Sequence, residues 1–585
     1  MQDPLLKVKK PGRYIGSEFN SVVKSRSNVA VKFAICFPDF YEVGMSNLGL
    51  RIIYGLLNKR EDCLCERFFL PDMDMLGLIR GGEFKFGSIE SGCGMKDFDL
   101  IGFSISHELT YTSILHILDI AGIPFYSKDR DEQHPLIIAG GPALSNPEPV
   151  ADFFDLILIG EAEDALPQLI DEFKAWRNKL SRKELLLKLS NIEGIYVPSL
   201  FEPQYNKDNS FQCLKPVLDG ANIVKHRSVK DLDASFYPVD WLVPYVAIVQ
   251  DRIYLEVMRG CPHACHFCQA RVFYSPLRFR SKERILKLAL EAQEKSGYEE
   301  LSLLGLSSSD HPEIQEIASS LIDCLKSQCF SVSLGSLRPD VKIEKLLETI
   351  AGVKKTGLTL AIESASPRLR KLINKKVDLE ALKKLVAFSY RRGYRRIKLY
   401  LMFGLPFETQ EDLSSIPELI HELGRIDGAF RRDLNFTLSL NPFIPKPHTV
   451  FQWHAFEGMD SLEKKQQFLK SAILKKMRNV KIDFRSLQGS FIEAILSRGD
   501  RRLSKFIFAA FKNGAILDSY SDHFNFDCWQ KALESSNVDL DYYLYRRIPL
   551  EENLAWDIIE MGVSKEKLKT DFLEVLNQAG EGKEK

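Results

Sequence analysis

"RIYLEVMRGCPHACHFCQA", residues 252–270, sets an apolar run of strand character against three cysteines, Cys261, Cys265 and Cys268, spaced C-x3-C-x2-C. The run ends where the loop Arg-Gly-Cys-Pro begins, so the cysteines are expected at the C-terminal end of a strand. A single cysteine is often only a small buried hydrophobe. Three within eight positions of a polar loop read as ligands. A structural zinc site needs a fourth protein donor, and His263 or His266 could supply it. An iron–sulfur cluster on three thiolates instead leaves one iron open to a substrate or cofactor. The second reading is the stronger one.

Working outward, short apolar runs alternate with helical segments. After "RIYLEVM" come "ELSLLGL", "FSVSLGSL", "LTLAIES", "RIKLYLMF" and "LNFTLSLNPF", with helices expected near 281–296, 313–328, 342–350, 379–392 and 410–424. Six such units predict a partial or full β/α barrel over 251–455, with chemistry at the loops after the strands. Upstream, "VAVKFAICF", "FDLIGFSIS", "PLIIAGGP" and "FDLILIGE" alternate with helices, which predicts an α/β doubly wound (Rossmann-type) domain over 1–170. Residues 171–250 read as a connector. Residues 456–585 read as mostly helical, with "HFNFDCW" as an aromatic island and a frayed tail, GEGKEK.

Composition bounds the function. Across 585 residues, 79 basic side chains balance 79 acidic ones. That argues against a protein held to nucleic acid mainly by neutralising phosphates. No apolar run approaches the roughly 20 residues of a membrane span, and the N-terminus shows no signal-peptide core. Eleven cysteines, an odd number, fit a reducing cytoplasm better than a disulfide framework.

The pattern C-x3-C-x-aromatic-C, with Phe267 before the last cysteine and a barrel strand before the first, resembles the radical S-adenosylmethionine (SAM) superfamily. The resemblance implies a [4Fe-4S] cluster on Cys261, Cys265 and Cys268, with SAM chelated at the open iron. It also implies reductive cleavage to a 5′-deoxyadenosyl radical, with electrons from a reductase, flavodoxin or ferredoxin. Phe267 and, in "LLGLSSSD", Ser307 and Ser308 become SAM-binding candidates, although the family often has Gly-Gly-Glu at the latter place. "AIESAS" resembles a segment of methylthiotransferase-like members and offers Glu363 and Ser364. The alternative there is a helix cap at Ser364 or Ser366. "LYLMFGLPFETQED" resembles the segment near adenine and offers Gly404 and Pro406; the alternative is a plain turn with a Thr409 cap.

The N-terminal half resembles the cobalamin-binding domains of radical enzymes. Such domains carry Asp-x-His-x-x-Gly after the first strand; "DFYEVG" gives Asp39, Tyr41 and Gly44, with tyrosine in place of the cobalt-binding histidine. Ser104 and Ser106, then Gly140 and Gly141, match the later loops. This implies cobalamin without a lower protein ligand, or a domain that kept the fold and lost the cofactor. Cys36, Cys63, Cys65 and Cys93 raise an auxiliary cluster of the methylthiotransferase kind. "YRRGYRRIK", 390–398, is either a phosphate grip or a solvated helix end. "PKPHTVFQWH", 445–454, puts His448 on a substrate wall or in the core. Asp500, Arg501 and Arg502 read as a helix start with solvated charges. The function expected is a radical enzyme that methylates or otherwise modifies a metabolite or macromolecule, with RNA among the candidates. The competing class is a non-catalytic iron–sulfur scaffold.

Overall fold

Two sets of parallel strands organise the chain. The computed structural model describes residues 3–218, 223–325, 331–335, 338, 346 and 357–581. The first set is one sheet: β1 (Val31–Phe37), β2 (Cys63–Phe69), β3 (Leu100–Ser104), β4 (Leu136–Gly140), β5 (Leu156–Leu158) and β6 (Ile195–Tyr196). Its order is β2-β1-β3-β4-β5-β6, parallel except for β6 against β5. The strands are buried on both faces, which is why they read as unbroken apolar runs. The order reverses between β1 and β3, and doubly wound sheets take ligands in the crevice at that point. The stretch expected to be a connector also belongs here: it holds the helix Arg182–Leu189 and β6, before a hairpin of Phe201–Tyr205 and Phe211–Pro216.

The second set forms two arcs. β7 (Ile253–Glu256), β8 (Glu300–Leu304) and β9 (Ser331–Leu334) make one; β10 (Leu358–Glu363), β11 (Arg396–Phe403), β12 (Asn435–Pro442) and β13 (Val480–Phe484) make the other. All neighbours in both arcs are parallel. Helices Lys282–Ser296, Ile314–Leu325, Leu379–Arg391 and Gln410–Leu423 link them. The helix expected near 342–350 lies outside the described residues. β13 corrects the sequence reading, which ended the strands before 456. It pairs with β12 from Phe436 opposite Val480 to Leu440 opposite Phe484.

Helices Leu487–Ser497, Leu503–Lys512, Phe526–Ser536 and Lys565–Ala579 follow. Leu503–Lys512 packs on the helical layer of the first sheet, at Tyr111–Ala121 and Glu148–Phe153, whereas Lys565–Ala579 packs on Pro367–Leu372 and Val450–Trp453 beside the second strand set. Asp500 is buried and Arg501 nearly so, while Arg502 keeps 35% of its side chain exposed. Arg501 forks onto buried Glu148 (2.9 and 3.1 Å) and the Tyr196 hydroxyl (2.7 Å), and Asp500 accepts from Tyr543 Oη (3.0 Å) and Arg502. His448 is likewise a core residue: it is buried, with Nε2 donating to the Ser145 carbonyl at 3.0 Å. Among the described residues no helix is long and apolar enough to cross a membrane.

Candidate active site

The cysteine loop leaves the C-terminal end of β7 and is gripped from below by the turn after the helix Pro367–Leu372. His266 N–H donates to Ile373 O (3.0 Å), His266 Nδ1 donates to Leu372 O (2.7 Å), and Asn374 Nδ2 donates to Ala264 O (2.9 Å). His263 Nε2 faces Asp310 Oδ2 at 2.7 Å, and that oxygen also accepts from Ser307 Oγ at 2.5 Å. Both histidines are therefore committed elsewhere, which weakens the zinc reading. Among the described residues no three His, Cys, Asp or Glu donors converge on a single-ion centre. A four-iron cluster asks for something else, one thiolate per iron with the thiolates spread around it.

Burial raises all three thiols, Cys265 to about 11. Lys375 opposes this: its positive charge lowers each of the three. Lys375 Nζ sits 3.2 Å from Glu363 Oε1, and both side chains are largely buried. Glu363 follows a bulge in β10 and adopts φ +64°; burial raises its carboxyl above the usual range. Its charge reaches Cys265 and Cys268. Ser364 Oγ accepts from Ser366 N–H (3.2 Å), and Ser366 caps the helix Pro367–Leu372. Ser308 is buried, and its hydroxyl has no protein partner among the described residues. Phe267 packs at the edge of an aromatic cluster. Gly404 donates its N–H to Glu408 Oε2 (2.9 Å), Pro406 is buried, and Thr409 caps the helix Gln410–Leu423.

Against this loop lies the C-terminal edge of the first sheet. A cavity of about 430 Å³ runs from Ile35, Ile138 and Leu158 past Ser104, Ser106, Gly140 and Gly141 to Met258, Arg259 and Gly260. A smaller one, about 270 Å³, shares Asn47, Ser104 and Ser106 with it and is lined also by Asp39 and His107. Gly141 has φ +124°, and a Cβ there would lie 2.3 Å from Ile105 O, so the turn admits no side chain. Asp39 is buried and accepts from Tyr520 Oη at 2.6 Å. Just upstream of Cys261, Arg259 pairs with Glu161 (3.0 Å), Glu163 (2.8 Å) and Glu256 (2.8 Å). Arg278 adds a second link to Glu161 at 2.7 Å. This latch fixes the first sheet against the cysteine loop.

Two family models match, "Radical SAM proteins, N-terminal" over residues 49–198 and "Radical SAM superfamily" over residues 255–420. The chain belongs to the radical SAM superfamily. It is an enzyme of that superfamily, and not a bare iron–sulfur scaffold. An uncharacterized protein of Methanocaldococcus jannaschii is 27% identical over 519 residues, covering 86% of this chain and 98% of that one. The ribosomal protein uS12 methylthiotransferase RimO of a Thermoanaerobacter species is 26% identical over 182 residues, 29% of this chain and 40% of its own. Among solved structures, the cobalamin-dependent SAM radical enzyme OxsB with aqua-cobalamin and SAM bound aligns with a TM-score of 0.50 at 13% identity. That alignment covers 99% of this chain and 84% of OxsB, and at this identity it speaks for the fold.

Within this radical SAM chain several expectations change. Tyr41 does not face the cavity: it is 2% exposed, its hydroxyl bonds Glu18, and its ring packs on Phe69. Gly44 serves that same packing, since a Cβ would lie 2.3 Å from the Phe69 ring. Cys36, Cys63 and Cys65 are fully buried in strands, and Cys93 is half-buried outside them. Cys65 pairs with Phe33, three residues and about 10 Å along β1 from Cys36. The 390–398 arginines sit at the helix end feeding β11, where Arg391 pairs with Asp427 and Arg395 with Asp433, away from the cysteine loop's end of the sheet. Lys375, Asn374, Asp310, Arg259 and His107 were not singled out from sequence. Each acts through a partner far along the chain, and no local spacing announces that.

Proposed function

We propose that Cys261, Cys265 and Cys268 hold a [4Fe-4S] cluster with SAM at the open iron. We propose further that the crevice of the first sheet takes cobalamin, and that the enzyme methylates or similarly modifies its substrate. One observation carries the reading: Arg259 and Gly260, the residues immediately before Cys261, are themselves walls of the crevice at the switch point of the first sheet. The two cofactor positions are thus neighbours. The chemistry of each fits. Three thiols in a partly buried loop suit a low-potential cluster, and the apolar slot beside Ile35, Ile138 and Leu158 suits an aromatic group of a cofactor. OxsB, of similar fold, is named with cobalamin and SAM bound.

Held by Cys261, Cys265 and Cys268, a cluster with SAM would supply reducing and radical chemistry, and cobalamin in the crevice would supply a methyl carrier. The chain's own residues do the rest. Lys375 offsets the thiolate charge, and Glu363 holds Lys375 in place. Ser308 offers SAM a free hydroxyl, and Phe267, Ser307, Ser364, Gly404 and Pro406 shape the surrounding loops. Gly140, Gly141, Ser104 and Ser106 give the corrin a close backbone edge. Since Tyr41 is turned away, that loop gives cobalt no ligand. An external iron–sulfur or flavin protein supplies electrons.

Anaerobic reconstitution should give a protein that forms 5′-deoxyadenosine from SAM under dithionite. Replacing any of the three cysteines with Ala should remove most of the bound iron and this activity. A triple Ala variant that still makes 5′-deoxyadenosine would overturn the cluster assignment. Cobalamin titration followed by absorbance tests the crevice: no retention at tens of micromolar, about 6 kcal/mol of binding, would leave it without that cofactor.

A further inference from the structure

A third cavity, of about 930 Å³, opens where the cysteine loop, the first sheet and the C-terminal helices meet. Gln269 and Ala270, the residues after Cys268, form one wall. Ser106 and His107 form another, shared with the Asp39 cavity. Ser519 and Tyr520 form a third.

Its charges are committed. Lys446 Nζ donates to Glu108 Oε1 (2.6 Å) and Ser497 Oγ (2.7 Å) and lies 2.9 Å from Glu493 Oε1. Arg485 pairs with the other oxygen of Glu493. Asp518 accepts from Thr112 Oγ1 (2.5 Å) and Trp529 Nε1 (3.0 Å), and burial holds its carboxyl up at about 6. Burial keeps His107 below the usual imidazole range, so it is neutral near pH 7. The described lining therefore sets two cations against three acids, and each cation already has an acid. The remaining polar groups are uncharged glutamines, serines and tyrosines, among them Gln269, Gln488, Ser519 and Tyr520.

A nucleic-acid strand is held largely by lysines and arginines that neutralise its phosphates. Here a phosphate would meet Glu108 and Glu493 with no surplus cation to receive it. The volume falls within the range of small-molecule pockets, roughly 300–1,000 Å³. We infer that this chamber takes the substrate, and that the substrate is a small polar molecule of zero net charge rather than an RNA. The inference rests on the radical SAM reading above and narrows its substrate class.

The test uses the reconstituted full chain with SAM and dithionite. Substrate-free formation of 5′-deoxyadenosine is measured first; its absence would count against the proposed function and not against the chamber. Three fractions of a cell extract are then added separately: a small-molecule ultrafiltrate, purified total RNA, and total protein. The ultrafiltrate alone should raise 5′-deoxyadenosine formation severalfold. Stimulation by RNA or protein, or by no fraction, overturns the inference. Gln488→Trp, which fills the chamber from the side of Arg485, should cut the stimulation at least tenfold with iron content and melting temperature as in the parent. Undiminished stimulation in a folded, iron-loaded Gln488→Trp protein would place the substrate elsewhere.

Discussion

Tyr41 shows how far a motif position can mislead when its side chain is not seen. The loop Asp39–Gly44 aligns with a cobalt-binding pattern, yet the tyrosine points into the core and hydrogen-bonds Glu18, which in turn pairs with fully buried Arg67. Replacing Tyr41 with His should therefore create no cobalt–nitrogen bond. It should destabilise the fold, because Glu18 loses a buried partner at a cost of about 1–3 kcal/mol. A lower melting temperature with an unchanged cobalamin absorbance spectrum is the expected result; a new axial-nitrogen signature would contradict the geometry. The cysteine triplet was legible because its partners lie within eight positions. Lys375 was not, because the thiols it faces are more than a hundred residues upstream.

At the scale of elements, the turn after the helix Pro367–Leu372 does more than end that helix. Its carbonyls at Leu372 and Ile373 and the Asn374 side chain hold Ala264 and His266 in the cysteine loop. Asn374→Ala removes one of three ties, each worth about 1 kcal/mol. Iron uptake during reconstitution should be slower and less complete, while the secondary structure stays intact by circular dichroism. Full, rapid loading would show that the loop shapes itself. The same scale explains the missed strand β13. Five residues, VKIDF, carry too little periodicity to stand out between helices, and only the exposed edge of β12 makes them a strand.

At the scale of the whole molecule, the start of the helix Leu503–Lys512 is bound to the first sheet by buried charge. Arg501 reaches Glu148, Tyr196 and the Phe201 carbonyl (2.7 Å) together. Arg501→Ala strands Glu148, which is fully buried, and should cost about 3–5 kcal/mol, read as a fall in the denaturation midpoint; no change would mean the junction is held by packing alone. Acid should act on the same junctions. His448 bonds Ser145 O and His116 faces Ala515 O at 3.0 Å, and burial lowers both to about 4. In the unfolded chain they would take a proton near 6.5. Below that pH the unfolded state binds more protons, so stability falls as pH drops from about 6.5 toward 4, by up to about 3 kcal/mol per histidine. Melting temperature should decline between pH 7 and pH 5. His448→Asn, which tolerates the φ of +57° at that position, should flatten the decline; an unchanged slope would remove His448 from the account.

The sequence by itself determined the parallel α/β class, the order of the two strand sets and the cysteine loop at the end of β7. Each of these is written in local pattern: apolar runs of strand length, helical periodicity and ligand spacing. Only the tertiary structure decided that Tyr41 faces inward, that Asp500 is buried and Arg501 tied to Glu148, and that the turn after the helix Pro367–Leu372 holds the cysteine loop at Ala264 and His266. It alone brought the crevice of the first sheet against Arg259 and Gly260. Those facts depend on which distant side chains share a low-dielectric space, where an unpaired charge or polar group is too costly to leave. A one-dimensional pattern holds no record of such partners.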